Sequence, residues 1–521
     1  MLFNLHVFLF LFLPAVFAVY WLTTTFISAK WARRWSLVAS LFFFAWWHPP
    51  DLLVLFASLI GNYVIGRALF VRPARSAAWL LRLGVALNLL LLGCFKYSAL
   101  ALATVHWFSG ATFAQSEIVL PLAISFFTFN QIAYLVDCHR GEGALYAFDD
   151  YCLFITFFPH LIAGPIVHHR EMVPQLLALR RFDPILVAQG LTLFVMGLGK
   201  KVIFADNVAT YAKAVFSQAA LGLSPTFLDS WVGALAYTTQ LYFDFSGYSD
   251  MAIGLGMMFG VIFPLNFASP YRAANIGEFW RRWHITLSRF LRDYLYIPLG
   301  GNRINRVRTS VNLMLTMLIG GLWHGAGWTF VAWGGLHGLM LLVQQRFSAA
   351  IARTRVAECL SRGVGYAVCW ALTFSGVVFG WVLFRSDTLG TALRLWKGML
   401  GLNGVTLEER HLSFVSRFGI DPVNFSISRG QLIVNPTLEV AAWIVGLLAV
   451  SVMLPNSQQF IGSKFGVWRA VTPLPRCIGA FQWRPTLAWG LATAAIAIAA
   501  VLHITRLSEF LYFQFGDVFF A

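Results

Sequence analysis

Charge is what this chain of 521 residues has least of. Asp, Glu, Lys and Arg make up only 12% of it, with 22 carboxylates in all, about half the charged share of an ordinary soluble domain. A water-facing surface cannot be assembled from so few charges, which excludes a soluble globular fold. Long polar runs are missing too: the one extended polar stretch, residues 386–430, holds too many apolar and aromatic residues to read as disordered. The six cysteines, Cys94, Cys138, Cys152, Cys359, Cys369 and Cys477, have no CxxC spacing, which argues against a disulfide framework or a zinc site. No internal repeat occurs. The first apolar run, Phe3 to Leu22, lacks the basic flank of a secretory signal and reads as a retained helix, although Val16-Phe17-Ala18 has the look of a cleavage site.

What is present is apolar. Hydrophobic residues make up 59% of the chain, and runs near the ~20 residues that cross a bilayer recur throughout, so the fold class is an all-α polytopic membrane protein of roughly 11–14 spans. A single integral domain, 1–521, is expected, with its last spans near 433–454 and 485–503. Lys and Arg exceed Asp and Glu by 38 − 22 = 16. In a soluble protein that surplus would suggest nucleic acid; here the basic residues sit in short loops between apolar runs, where they orient a membrane protein. No nucleic-acid partner is expected, and membrane lipid is.

Lys30, Arg33 and Arg34 after the first helix, and Arg72, Arg75 and Arg82 after the third, predict an outer N-terminus. Later basic groups, Arg346 to Arg362 and Lys464 to Arg484, predict an outer C-terminus. Between 151 and 267 the path has two solutions: Tyr151 to Val167 either crosses fully or turns back within the membrane. The pair Lys200-Lys201, taken as cytoplasmic, favours the full crossing, with segments near 184–200, 229–247 and 250–266 bringing the chain back.

The chemistry concentrates in the inner loop from Tyr271 to Arg308. Eight arginines stand there against Glu278 and Asp293, and Trp280, Trp283, Leu287, Phe290 and Leu291 interleave with them at helical spacing. That pattern predicts an amphipathic helix at the membrane surface and a positive face for anionic partners. An interfacial anchor is the plainer alternative. Pro298-Leu299-Gly300-Gly301-Asn302-Arg303 then forms a turn whose free backbone N–H groups, with Arg281, Arg282 and Arg303, suit phosphates. Forty residues after His284 (324 − 284), His324 lies in a strongly apolar run, where an ionisable group faces a polar cavity and performs chemistry or conduction. The plainer alternative is a core histidine satisfied by a carbonyl. His337, in Trp333-Gly334-Gly335-Leu336-His337-Gly338, belongs to the next helix, where small residues permit close approach. The adjacent pair His168-His169 points in different directions on a helix and predicts no metal site. Asp244, Ser246 and Asp250 read as bundle hydrogen-bonding groups.

Four strings carry a family resemblance: Gln240 to Ala252 (QLYFDFSGYSDMA), Phe279 to Ser288 (FWRRWHITLS), Leu291 to Arg303 (LRDYLYIPLGGNR) and Gly320 to Gly325 (GGLWHG). Supporting strings are Phe95-Lys96-Tyr97, Phe158 to Pro165 and Trp381 to Ser386. Together they resemble the membrane-bound O-acyltransferase family, in its bacterial branch concerned with alginate O-acetylation, from the N-terminus to about residue 390. The resemblance implies a helical bundle around a transmembrane tunnel with interfacial or re-entrant helices. It also implies His324 as the catalytic histidine and His284 as its partner, with His337, Asn302 and Arg303 supporting, and Arg281, Arg282, Gly300 and Gly301 at the donor. The implied reaction moves an acetyl group from cytoplasmic acetyl-CoA, a co-substrate with no resident cofactor, across the inner membrane towards an exported polysaccharide such as alginate, with periplasmic acetyltransferase partners. Acetylation of cellulose or peptidoglycan and D-alanylation of teichoic acid stay open within that chemistry. A transporter or flippase for lipid-linked sugars is the alternative of another class.

Overall fold

The computed structural model describes residues 1–71, 74–110, 120–162, 164–178, 183–407, 427–429, 433–434, 438–462, 479 and 481–504. Arg72, Arg180, Arg181, Lys464, Arg469, Arg476 and Cys477 lie outside the described residues. The longer helices are α1 (Phe8–Ile27), α2 (Ala29–Ala45), α3 (Asp51–Val71), α4 (Ala77–Ser109), α5 (Ile124–His139), α6 (Phe148–Thr156), the single turn α7 (Phe158–Leu161), α8 (His169–Ala178) and α9 (Pro184–Ala220). They continue with α10 (Phe227–Met258), α11 (Ile276–Arg282), α12 (Ile285–Leu291), α13 (Arg306–His324), α14 (Trp328–Ile351), α15 (Gly363–Arg385), α16 (Leu389–Met399), α17 (Leu438–Met453) and α18 (Leu487–His503). The described strands are two short ones, Val405–Leu407 and Ile427–Arg429, paired in parallel with Val405 opposite Ile427.

Among the described residues five helices, α1, α3, α4, α9 and α15, are long and apolar enough to cross a bilayer by themselves. Helices α10, α13 and α14 are long but carry inward polar groups: Asp244 and Asp250 on α10, His324 on α13 and His337 on α14 are all buried. Polar groups are thus held inside the bundle while large apolar side chains such as Leu53, Phe26 and Leu372 face outward, as expected where the solvent is hydrocarbon. The first apolar run is helical, and Phe3, Phe8 and Phe43 are fully buried, with Phe3 stacked on Tyr248 at 4.7 Å.

Two features of the predicted path are corrected. The segment after Tyr151 holds no helix long enough to cross by itself, which fits the turning-back path better than the full crossing: α6 has nine residues and α7 four, and nine residues rise only about 14 Å. Both pieces are buried, so this is a broken internal element. Lys200 and Lys201 mark no loop. They lie in a π-helical stretch, Lys200–Ala205, inside the continuous α9, where Lys200 pairs with Asp250 at 2.6 Å and Lys201 with Asp244 at 2.6 Å and Asp206 at 3.0 Å. Buried lysines persist at that depth because carboxylates on α10 meet them. Consequently 229–247 and 250–266 are not separate helical spans: α10 runs unbroken for 32 residues from Phe227 to Met258, and residues 261–266 lie beyond it in non-helical chain.

Glycine sets the closest helix crossings. A Cβ on Gly190 of α9 would stand 2.5 Å from the Gly254 carbonyl oxygen of α10, and one on Gly197 2.5 Å from that of Gly247. Helices α13 and α14 form a tight hairpin by the same means: a Cβ on Gly321 would meet the Phe330 oxygen at 2.3 Å, and one on Gly334 the Met317 oxygen at 2.3 Å. Backbones in near contact gain dispersion, which drives association when lipid is as apolar as the side chains.

Candidate active site

The arginine-tryptophan string does not form one amphipathic helix. It breaks at Trp283-His284 into α11, α12 and a π-helical turn, Arg292–Tyr296. His284 adopts left-handed backbone angles, φ 43° and ψ 54°, a conformation that costs a non-glycine residue about 1 kcal/mol or more and persists where neighbours enforce it. The enforcement is visible. The Ala268 N–H donates to the Arg282 oxygen at 3.0 Å and the Ile285 N–H to the Asn266 oxygen at 3.0 Å, pinning both sides of the break to the strand-like segment after α10. The break turns the His284 imidazole inward, fully buried.

The tautomer of His284 follows from its surroundings. The Thr286 hydroxyl accepts from the Ile166 N–H at 3.0 Å, so its own proton points to Asn266 Oδ1 at 2.9 Å; the Thr286 N–H faces the same oxygen at 3.4 Å. The Asn266 atom facing His284 is therefore an acceptor, and His284 Nδ1, 2.9 Å away, is the donor. His284 Nε2 is left with its lone pair, buried and without a hydrogen-bond partner among the described residues.

His324 is the last residue of α13. Its ring centroid lies 6.2 Å from that of His284, so the break brings together two imidazoles 40 residues apart (324 − 284). The shell around them is aromatic: Trp333 and Phe384 meet His324 at 5.2 Å each, Trp323 at 5.0 Å, and Phe245 meets His284 at 4.8 Å. In so apolar a surround a neutral imidazole is the cheaper form. His337 is buried on α14 and touches the opposite part of the same shell, with Trp333 at 4.8 Å and Trp280 at 5.4 Å. Neither of its ring nitrogens has a hydrogen-bond partner among the described residues. Trp333 thus touches both His324 and His337.

The expected donor group is placed differently. Gly300 and Gly301 form a turn at φ 106° and 54°, held by Asn312 Nδ2 donating to the Gly301 oxygen at 3.0 Å. Asn312 precedes His324 by 12 residues (324 − 312), about 18 Å along α13. Asn302 and Arg303 are exposed on this turn, remote from the imidazoles, so any support they give is not by contact. Arg281 is exposed, while Arg282 is held by Glu278 at 2.7 Å. Arg289 forms a two-pronged pair with Glu171 at 2.6 and 2.8 Å, and Arg292 pairs with Asp293 at 2.7 Å. The loop is less positive than its arginine count because carboxylates, one of them from α8, occupy part of it. His168 and His169 serve the same anchoring: the His168 ring faces the Tyr294 hydroxyl at 3.0 Å, and His169 faces Asp137 at 3.1 Å.

Sequence reasoning missed Asn266 and Thr286 as partners of His284. The string Phe95-Lys96-Tyr97 carries the family resemblance but does not by itself announce that Lys96 and Tyr97 reach the end of α13. A lysine inside an apolar run was the available signal for the second pair; nothing in Asn266 distinguished it.

A model of the membrane-bound O-acyltransferase family matches residues 4–379. The chain belongs to that family. It is accordingly a membrane-bound acyltransferase. It is 41% identical over 508 residues to the peptidoglycan O-acetyltransferase of Helicobacter pylori, covering 91% of this chain and 93% of that protein. It is 38% identical over 540 residues to the protein named probable alginate O-acetylase AlgI in Pseudomonas putida, covering 99% and 100%. The teichoic acid D-alanyltransferase of Streptococcus thermophilus is more distant, 28% identical over 232 residues, 43% of this chain and 56% of that one.

Proposed function

We propose that the protein transfers an acetyl group from cytoplasmic acetyl-CoA across the inner membrane for O-acetylation of an exported polysaccharide. The observation that carries this reading is the pair of buried imidazoles 6.2 Å apart in an aromatic shell. His324 acts as general base: it takes the proton of the attacking hydroxyl, the oxygen closes on the thioester carbonyl, and the C–S bond breaks to release CoA as thiolate, which that proton neutralises. His284 cannot donate from Nε2 to a developing oxyanion in the tautomer Asn266 holds. Its lone pair serves instead as acceptor towards the proton His324 gains. The exposed Arg281 and Arg303 and the Gly300-Gly301 turn hold the donor's phosphates at the cytoplasmic mouth, and the thioester arm spans the interval to His324. The acceptor hydroxyl belongs to a periplasmic partner protein or to the polymer itself, and both termini are periplasmic.

Alginate is the leading polymer. Peptidoglycan is a second reading, favoured by the likeness to the Helicobacter pylori protein across nearly its full length. Purified protein in liposomes with radiolabelled acetyl-CoA and either polysaccharide should release free CoA and label the polymer. A transporter would release none, and that result would overturn the proposal.

A further inference from the structure

A helix leaves its last four carbonyl groups without backbone partners, and at membrane depth no bulk water replaces them. Gly325 leaves α13 in extended conformation, φ −155° and ψ 150°, so the left-handed turn that usually returns N–H groups to a helix end is absent. A Cβ at Gly325 would stand 2.2 Å from the Phe330 ring, so the exit is also tightly packed.

Two consecutive side chains of α4 take over. Tyr97 Oη donates to the Leu322 oxygen at 2.8 Å. Lys96 Nζ donates to the Trp323 oxygen and stands 3.4 Å from the His324 oxygen. The same ammonium reaches Ser125 Oγ on α5 at 3.2 Å and lies over the Trp323 ring at 5.8 Å. Trp323 in turn stacks on Phe129 of α5 at 5.0 Å, and Phe129 on Phe290 of α12 at 4.2 Å. Lys96 is thus spent on carbonyls and a hydroxyl at the negative pole of the α13 dipole, where a cation is electrostatically at home. Both residues lie in a π-helical turn, Gly93–Tyr97, a distortion that concentrates at functional sites.

We propose that Lys96 and Tyr97 are positioning residues for the acyl-transfer reaction, fixing the His324 end of α13 by ligating its last three carbonyl groups. The inference rests on the reading of His324 as the base. Without the Lys96 and Tyr97 contacts the last turn of α13 loses its tie to α4 and α5, and the imidazole leaves its register with His284. Misplacement of about 1 Å costs up to about 100-fold in rate.

The test uses the full-length protein in liposomes with acetyl-CoA, comparing Lys96→Met, Lys96→Arg and Tyr97→Phe for membrane accumulation, kcat and donor KM. Lys96→Met should accumulate as wild type with kcat down by about tenfold or more and donor KM unchanged, because the donor's phosphates bind remotely. Lys96→Arg, which keeps cationic donors, should recover most of the rate, and Tyr97→Phe should show a smaller loss. Wild-type kcat in Lys96→Met overturns the proposal. So does parallel loss of accumulation and activity that Lys96→Arg fails to rescue, since that marks a purely structural lysine. Failure of the underlying reading looks different: the wild-type protein itself would release no CoA.

Discussion

At the scale of single residues, the two imidazoles differ in how they are held, and that difference is testable. His324→Ala should abolish polymer acetylation while the protein still inserts and accumulates, because removing an intramembrane polar group relieves insertion cost. His324→Gln should be equally inactive, since an amide accepts a hydrogen bond but cannot take a proton. Acetylation assays beside membrane immunoblots check both; activity near wild type in either would remove the base from the mechanism. Asn266 tests the tautomer. Asn266→Ala removes the acceptor that fixes the His284 proton on Nδ1, and kcat should fall by about 10- to 100-fold with donor KM steady, the scale of effect seen when an orienting partner is lost. Asn266→Asp keeps the acceptor and should retain more activity than Asn266→Ala. His324 stood out in the sequence because an ionisable residue in an apolar run is anomalous by itself, whereas His284, beside Arg281 and Arg282, was marked only by the family resemblance. Asn266 was not, since its role comes from a backbone break 18 residues later (284 − 266) that no local pattern announces.

At the scale of elements, the sequence conveyed helices better than their interruptions. The run from Phe279 to Leu295 has the spacing of one amphipathic helix, and its apolar side, Phe279, Trp283, Leu287 and Phe290, is buried while Arg281 and Arg292 stay exposed; what the spacing hides is the strained turn at His284, which divides the run and lets both halves bury their aromatic sides. Lys200-Lys201 misled for a related reason: positive charge signals a loop only when no buried carboxylate waits for it, and the partners Asp244 and Asp250 were 43 and 50 residues away (244 − 201, 250 − 200). The glycines of the α13–α14 hairpin were read correctly as close-approach positions. Gly334→Leu should therefore be severe. Its Cβ alone would fall 2.3 Å from the Met317 oxygen, a backbone atom that cannot swing aside, so α13 must move; overpacking of this kind costs about 1–3 kcal/mol or more. Accumulation and thermal stability in detergent should drop, and activity should fall with them. Gly335→Leu on the neighbouring face, where a Cβ would be 3.5 Å from a Leu318 methyl, should be tolerated much better. Equal accumulation of the two variants would show that the hairpin is not held by close glycine contact.

At the scale of the whole molecule, the surplus of 16 positive charges acts as a field as well as a set of contacts. Structural pairing decides which arginines contribute. Arg282 is committed to Glu278 and Arg292 to Asp293, both within the loop, and Arg289 to Glu171, a pairing invisible in a count of loop charges because Glu171 comes from another helix. Arg281 and Arg303 remain exposed, and an exposed cation near a phosphate contributes about 0.2–1 kcal/mol. Arg281→Ala and Arg303→Ala should each raise the KM for acetyl-CoA by less than about fivefold with kcat unchanged, and the double variant by roughly the product, as expected of independent sites. Salt supplies the control. The Debye length shrinks from about 10 Å at 0.1 M ionic strength to about 3 Å at 1 M, so the wild-type KM should climb with salt and the double variant's should climb less, the two converging where screening is complete. Arg282→Ala should behave otherwise if the donor binds as proposed: it removes the ion pair of Glu278 and sets a negative charge beside the proposed donor site, raising KM more than a lost contact alone would. A donor KM indifferent to all three changes and to salt would mean that the basic face meets lipid headgroups and that acetyl-CoA enters by another route.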